Sequence, residues 1–327
     1  MSEFLASWIA ELPQGAQAVL HALVVPLRAI VDPGTLLHWP FLLSALLITL
    51  TVYRVRGRVQ SFFGQYFSRK VWWHASARAD YLYYLINGAF FPILFAPLLA
   101  VSSAVSGLIA EGIQVSAHPH QTATPVWGMA LYFVATFIAY DFGRYVGHWV
   151  QHKNPVLWEF HKVHHSAEVL TPLTSFRLHP VDLLLMSVVP GIMTGIVGGI
   201  AIVLTGGAVT AWQILGMHGG IAVYHLISNL RHTHAWISFG PVVSQYLISP
   251  AQHQIHHSAE SKHFHKNIGW AFAVWDRWFG TLYVPKEEEN FDYGLGDGSD
   301  SDYHGVVRMY FLPFVRALTW CVAQARK

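Results

Sequence analysis

VWGMALYFVATFIAYDFGRYVGHWVQHKNPVLWEFHKVHHS (126–166) passes without interruption from an apolar stretch into five histidines. The apolar part, 126–147, is long enough to cross a hydrocarbon core about 30 Å thick as one helix. His148 with His152, and His161 with His164 and His165, recur at spacings of three and four, which return side chains to one face of a helix. The same pattern reappears in SPAQHQIHHS (249–258), with His253, His256 and His257. This grammar predicts a membrane-spanning helix that leads directly into histidine-bearing helices.

The composition agrees. The 327 residues are 53% hydrophobic and 12% charged, and the net charge is +2. Mean hydropathy is +0.36. A soluble chain of average composition carries about 25% charged residues, so the deficit points to a surface covered by lipid. The small net charge and the lack of a long basic run exclude nucleic acid as a partner. Cys321 is the only cysteine, which excludes intrachain disulfides and thiolate metal sites. The excess to be explained is the 21 histidines. Met1 to Pro13 lacks the basic start of a cleaved signal peptide and carries Glu3 and Glu11.

Five apolar stretches are expected to span, at 37–53, 84–109, 126–147, 181–204 and 208–228. Residues 1–36 are expected to hold an interfacial amphipathic helix, interrupted by Pro13 and Pro26. The unit 37–284 forms the bundle with its histidine cap, and 285–327 an acidic, solvated loop followed by an amphipathic C-terminal helix. Arg54, Arg56, Arg58, Arg69, Lys70 and Arg78 make the first loop basic, whereas 111–125 has no Lys or Arg. The positive-inside rule puts the first loop in the cytoplasm. Counting forward puts 148–180 and the chain after 230, and with them every dense histidine motif, on the same side. A bacterial inner membrane is preferred to the endoplasmic reticulum.

The metal-ligand candidates are His148, His152, His161, His164, His165, His253, His256 and His257, joined by His225 and His232 near the end of the fifth span. Neutral imidazole suits Fe, Zn, Cu and Ni. Asn229 lies on the same face as His225 and His232 and reads equally as a cap. Asp141 and Tyr145 precede His148 on its face. An aspartate in an apolar span needs a partner, and holding the second nitrogen of a ligand histidine would supply one. His179 is either a ligand or a positioning group. His118, His120, His234, His263, His265 and His304 read as surface groups, and WDRWFGT (275–281) as packing.

These motifs resemble the fatty acid hydroxylase and sterol desaturase superfamily, in its bacterial sterol desaturase-like branch. His148/His152, then His161/His164/His165, then His253/His256/His257 match its HxxxH, HxxHH and HxxHH in order and spacing. Asn267, Gly269 and WDRWFGT match its tail, and NLRHTH, around Asn229 and His232, its looser third element. The likeness covers about 126–284. Where some members have HxxxH in the third element, Ser228 stands four residues before His232, which leaves His225 or Asn229 to complete it. The resemblance implies an all-α, integral-membrane helical bundle with a cytoplasmic, histidine-rich helical cap, two iron ions, O2 activation, and hydroxylation or desaturation of a lipid C–H bond. An external electron donor, a ferredoxin or cytochrome b5-like protein, is expected, because no haem- or flavin-binding motif is present. A zinc-dependent membrane lipid hydrolase is the alternative, although so many imidazoles exceed the need of one catalytic zinc. A transporter would place its ligands nearer the midplane.

Overall fold

The computed structural model describes residues 13–113, 125–206 and 209–326, which are predominantly helical. In chain order the principal helices are α1 (Gln14–Arg28), α2 (Trp39–Val55), α3 (Ala75–Phe95), α4 (Val101–Gly112), α5 (Val126–Lys153), α6 (Pro155–His165), α7 (Pro180–Thr205), α8 (Gly219–Ser228), α9 (Pro250–His256), α10 (Val274–Phe279) and α11 (Val306–Ala325). Among the described residues, the only sheet is a hairpin of β1 (Gln213–Ile214) and β2 (Met217–His218).

Three helices are long and apolar enough to cross a membrane: α5 with 28 residues, α7 with 26 and α11 with 20. On α5 and α7, Leu131, Val134, Ile138, Ile196, Ile200 and Leu204 are exposed. An apolar surface of this kind is stable against lipid rather than water, and the chain is a membrane protein. The two helices approach closely through glycine: a Cβ on Gly143 of α5 would stand 2.5 Å from the Pro190 Cα of α7. On its other side α7 meets α4, where a Cβ on Gly195 would lie 2.7 Å from the Ser102 carbonyl. Small residues at such contacts let backbones meet where burial of apolar surface offers no driving force.

The expected spans need correction. Residues 84–109 are not one helix, because a 3₁₀ turn over Ala96–Ala100, containing Pro97, separates α3 from α4. Proline removes a backbone donor and ends the regular ladder. The stretch 208–228 is not a span either. Its first part is the β1–β2 hairpin, and α8 is only 10 residues long. The first stretch is the apolar 17-residue α2. Conversely, α11, expected to lie on the surface, is long enough to cross. Its packing partner is nevertheless α6, through Phe314 against Phe160 at 5.0 Å, rather than a spanning helix. Within the N-terminal stretch, α1 begins after Pro13 and contains Pro26, whose carbonyl accepts from the Tyr84 hydroxyl at 2.7 Å. Residues 1–12 lie outside the described residues.

The corner after α5 positions the site. Asn154 ends α5 and caps α6, its side chain accepting from the Val156 and Leu157 amides at 2.9 and 3.1 Å. Pro155 opens α6 at a position where its missing N–H is not needed. Two histidine helices are therefore folded back on each other. Arg177, fully buried, then fixes the end of α6. It donates to the Val163 carbonyl (2.6 Å) and the Ser166 hydroxyl (2.8 Å), and pairs with buried Asp80 of α3 at 2.7 Å. On the far side, α9 starts with a reciprocal cap between Ser249 and Gln252.

Candidate metal centre

Helix geometry sends neighbouring histidines to different places. His148 and His152 of α5, His161 and His165 of α6, and His256 of α9 form one buried group; His164, His232, His253 and His257 form a second. Within each group the candidate ligand atoms lie within 4.8 Å of one another. Adjacent residues on a helix diverge by about 100°, so each HxxHH run serves both groups. The groups share a wall, with the rings of His165 and His257 stacked at 4.8 Å and those of His161 and His164 5.6 Å apart.

Hydrogen bonds fix the tautomers of the first group. The Nδ1–H of His148 donates to the Ile268 carbonyl at 2.7 Å, that of His256 to the Lys266 carbonyl at 2.7 Å, and that of His161 to the Asp182 carboxylate at 2.9 Å. A neutral imidazole has a single N–H, so all three Nε2 atoms are bare. They nevertheless face one another, His148 lying 2.9 Å from His161 and 3.1 Å from His256. Lone pairs at that separation repel. Around an ion bound at about 2.1 Å, adjacent nitrogens at a right angle would stand about 3 Å apart, and the repulsion would become coordination. His165 Nε2, His164 Nδ1 and His257 Nδ1 are buried without a partner. Orphaned ring nitrogens of this kind call for an ion or a water. Burial, reinforced by the neighbouring imidazoles, holds the proton affinity of His165 and His257 well below the usual histidine range, and puts His256 at about 3. Such rings stay neutral, as metal ligands must.

The second group is backed differently. His253 and His232 face each other through Nε2 at 3.0 Å, and His257 joins at 3.2 Å. The Nδ1 of His232 is 2.8 Å from the Ser175 hydroxyl. Arg231 donates to the Nδ1 of His253 at 2.6 Å, so a neutral His253 carries its single proton on Nε2, the reverse of the tautomer that Asp182 sets at His161.

Of the ten histidines expected as ligands, nine fall in the two groups. His225 stands apart, its ring 5.3 Å from Phe41 and its Nδ1 buried without a partner. The amide nitrogen of Asn229 donates to the Leu36 carbonyl at 2.9 Å, and its Oδ1 is buried without a partner. Asp141 holds no histidine. It accepts from the Trp275 indole (2.6 Å) and from the amides of Ala271 and Phe272, tying α5 to the tail segment. The Tyr145 hydroxyl meets Thr281 at 3.2 Å. His179 caps α7, accepting from the Val181 amide, and donates to the Tyr310 carbonyl at 3.1 Å; it lies in neither group. Of the histidines read as surface groups, His263 is fully buried. His265 stands 3.3 Å from the Nδ1 of His152, His234 accepts from the Leu170 amide and His304 pairs with Glu168. His118 and His120 lie outside the described residues.

Two carboxylates were not foreseen in these roles. Asp182, in the first turn of the apolar α7, backs His161; an acid entering an apolar helix was the available signal. Asp276, within the run read as packing, accepts from the Ile268 and Gly269 amides at 2.8 Å each and from Thr281 at 2.6 Å. It thereby fixes the carbonyl that orients His148.

Residues 133–281 match the model of a family described as fatty acid hydroxylase. The ornithine lipid hydroxylase OlsE of Rhizobium tropici is 28% identical over 52% of this chain and 47% of its own length. The alkylglycerol monooxygenase of Homo sapiens is 26% identical over 52% of this chain and 34% of its own. The chain thus spans about half the length of these curated relatives, or less. No solved structure matches.

Proposed function

We propose, from the match of residues 133–281 to the fatty acid hydroxylase family, that the chain is a membrane-bound, non-haem di-iron oxygenase. It uses O2 to hydroxylate or desaturate an unactivated C–H bond of a lipid, a sterol, a fatty acyl chain or a related molecule. The observation that carries this reading is the pair of adjoining, all-imidazole groups, five and four rings, with the bare Nε2 atoms of His148, His161 and His256 facing one another in the first. Bound iron would supply the O2 chemistry that a C–H bond demands.

The chain's own residues bind, orient and exclude. Asp182 and the carbonyls of Ile268 and Lys266 keep the Nδ1 protons in place, so that Nε2 faces the ion. A cavity of ≈ 290 Å³ touches both groups and is walled by Tyr140, Leu183, Met186 and Trp270. These walls can seat an apolar chain, while Arg144, Arg231, His225 and Asp182 line the same cavity. The basic first loop supports a cytoplasmic position for the groups, in a bacterial inner membrane, with the substrate arriving laterally from the bilayer. Electrons come from a separate ferredoxin or cytochrome b5-like protein.

Elemental analysis and Mössbauer spectroscopy of the native protein, with lipid extracts of membranes that contain or lack it under air, test the proposal. About two irons per chain and a lipid altered by about one oxygen gained or two hydrogens lost are expected. Zinc in place of iron, with lipid hydrolysis that consumes no O2, would replace it by the hydrolase reading.

A further inference from the structure

We propose that Arg144 docks an anionic oxygen of the lipid, a carboxylate or a phosphate, one helix turn below the histidine groups; this rests on the lipid-oxygenase reading above. Arg144 and Arg231 both reach the cavity beside the histidines. A guanidinium stays charged at any accessible pH, and in apolar surroundings it needs a partner. Arg231 has several: the Tyr224 hydroxyl at 2.8 Å, the carbonyls of Trp270 and Gly269 at 2.9 and 3.2 Å, and the Nδ1 of His253.

Arg144 is placed otherwise. Its Nη1 makes a single long bond of 3.4 Å to the Met186 carbonyl, and its Nε is buried without a partner. Among the described residues it pairs with no carboxylate. The guanidinium lies 5.9 Å over the Trp270 ring, whose face orients the charge but cannot neutralise it. The buried Nδ1 of His225, on the same cavity, is also open. Asp182, the carboxylate lining this cavity, is engaged a turn away with His161.

Depth follows from the helices. Arg144 precedes His148 by four residues on α5, and Met186 follows Asp182 by four on α7, so the guanidinium lies one turn from the histidine level. Four residues of helix rise about 6 Å, a distance that about five bonds of extended chain cover. The oxidised C–H is therefore within about five bonds of the anionic group, not far along a tail.

The test uses intact protein in phosphatidylcholine nanodiscs, with oleate, oleoyl lysophosphatidate and oleyl alcohol as competing probes counted by native mass spectrometry. Wild type is expected to bind at least one of the anions about ten-fold or more tighter than the alcohol of the same chain. The larger preference identifies carboxylate or phosphate. Arg144→Gln is expected to remove the preference while leaving the alcohol's binding unchanged, and Arg144→Lys to keep most of it. Equal binding of acid and alcohol by wild type, or a Gln variant that weakens all three probes alike, overturns the assignment. Iron measured in the same samples separates the two readings. Equal binding by iron-containing wild type counts against Arg144 alone, and an iron-free wild type that keeps the preference counts against the oxygenase.

Discussion

Replacing Asp182 by asparagine removes the charge that accepts the His161 Nδ1 proton while nearly preserving the side chain's shape. Outer partners of this kind are worth ten- to a hundred-fold in metal affinity. Asp182→Asn is therefore expected to release metal to a competing chelator at about ten-fold lower chelator concentration; retention equal to wild type would remove His161 from the ligand set. Arg177→Ala has a different expected outcome. It strands the buried Asp80 carboxylate and frees the end of α6. Breaking a buried pair from one side costs about 3–5 kcal/mol, so thermal unfolding in nanodiscs is expected well below wild type. A shift no larger than that of a surface substitution would contradict the network. The histidines themselves were legible because three- and four-residue spacing is a local signal. Asp182 and Asp276 were not, because their partners are 21 residues away in one case and backbone groups in the other. Asp141 was misassigned for a related reason: its need for a partner could be read, but not which partner the fold brought.

Helix ends decide whether those side chains meet. Asn154→Ala removes the cap that turns α5 into α6. Loss of an N-cap costs about 1 kcal/mol. The protein is expected to stay folded while metal retention falls, because the corner that sets His148 against His161 loosens. Circular dichroism and metal content of the same sample check this, and a variant that keeps its full metal complement would show that packing alone fixes the corner. At this scale hydropathy located α2, α5 and α7 and misjudged 208–228. The hairpin there turns through Leu215 and Gly216, with φ of 54° and 77°. A two-residue turn of this hand favours Asn-Gly or Gly-Gly, and a leucine in the left-handed region gives no warning. The proline-bearing 3₁₀ turn between α3 and α4 was similarly hidden inside a long apolar run.

For the whole molecule, the buried histidines set the response to acid. Outside the spanning helices, His164, His165, His232, His253 and His257 are held well below their ordinary proton affinity, chiefly by burial, and His256 is at about 3. Unfolded, each titrates near 6.5. Between those values the unfolded chain takes up protons that the folded chain refuses, so stability is complete above about pH 6.5 and is lost as pH falls. Each such ring contributes about 1.4 kcal/mol per pH unit. Asp276 acts in the opposite sense: burial raises it to about 6, so its charge costs stability above that pH and the cost is relieved by acid. Burial raises Asp80 and Asp300 likewise, but these few carboxylates do not offset six imidazoles, and two of the rings over a single unit already match a large share of a typical net stability of about 5–15 kcal/mol. Metal-depleted protein in nanodiscs is therefore expected to show a melting temperature that falls steeply from pH 6.5 to pH 5. Metal-loaded protein should hold to lower pH, because protons must first displace the ions. Coincident curves for the two forms, or a melting temperature that rises into acid, would mean that these imidazoles neither stay neutral in the fold nor hold metal.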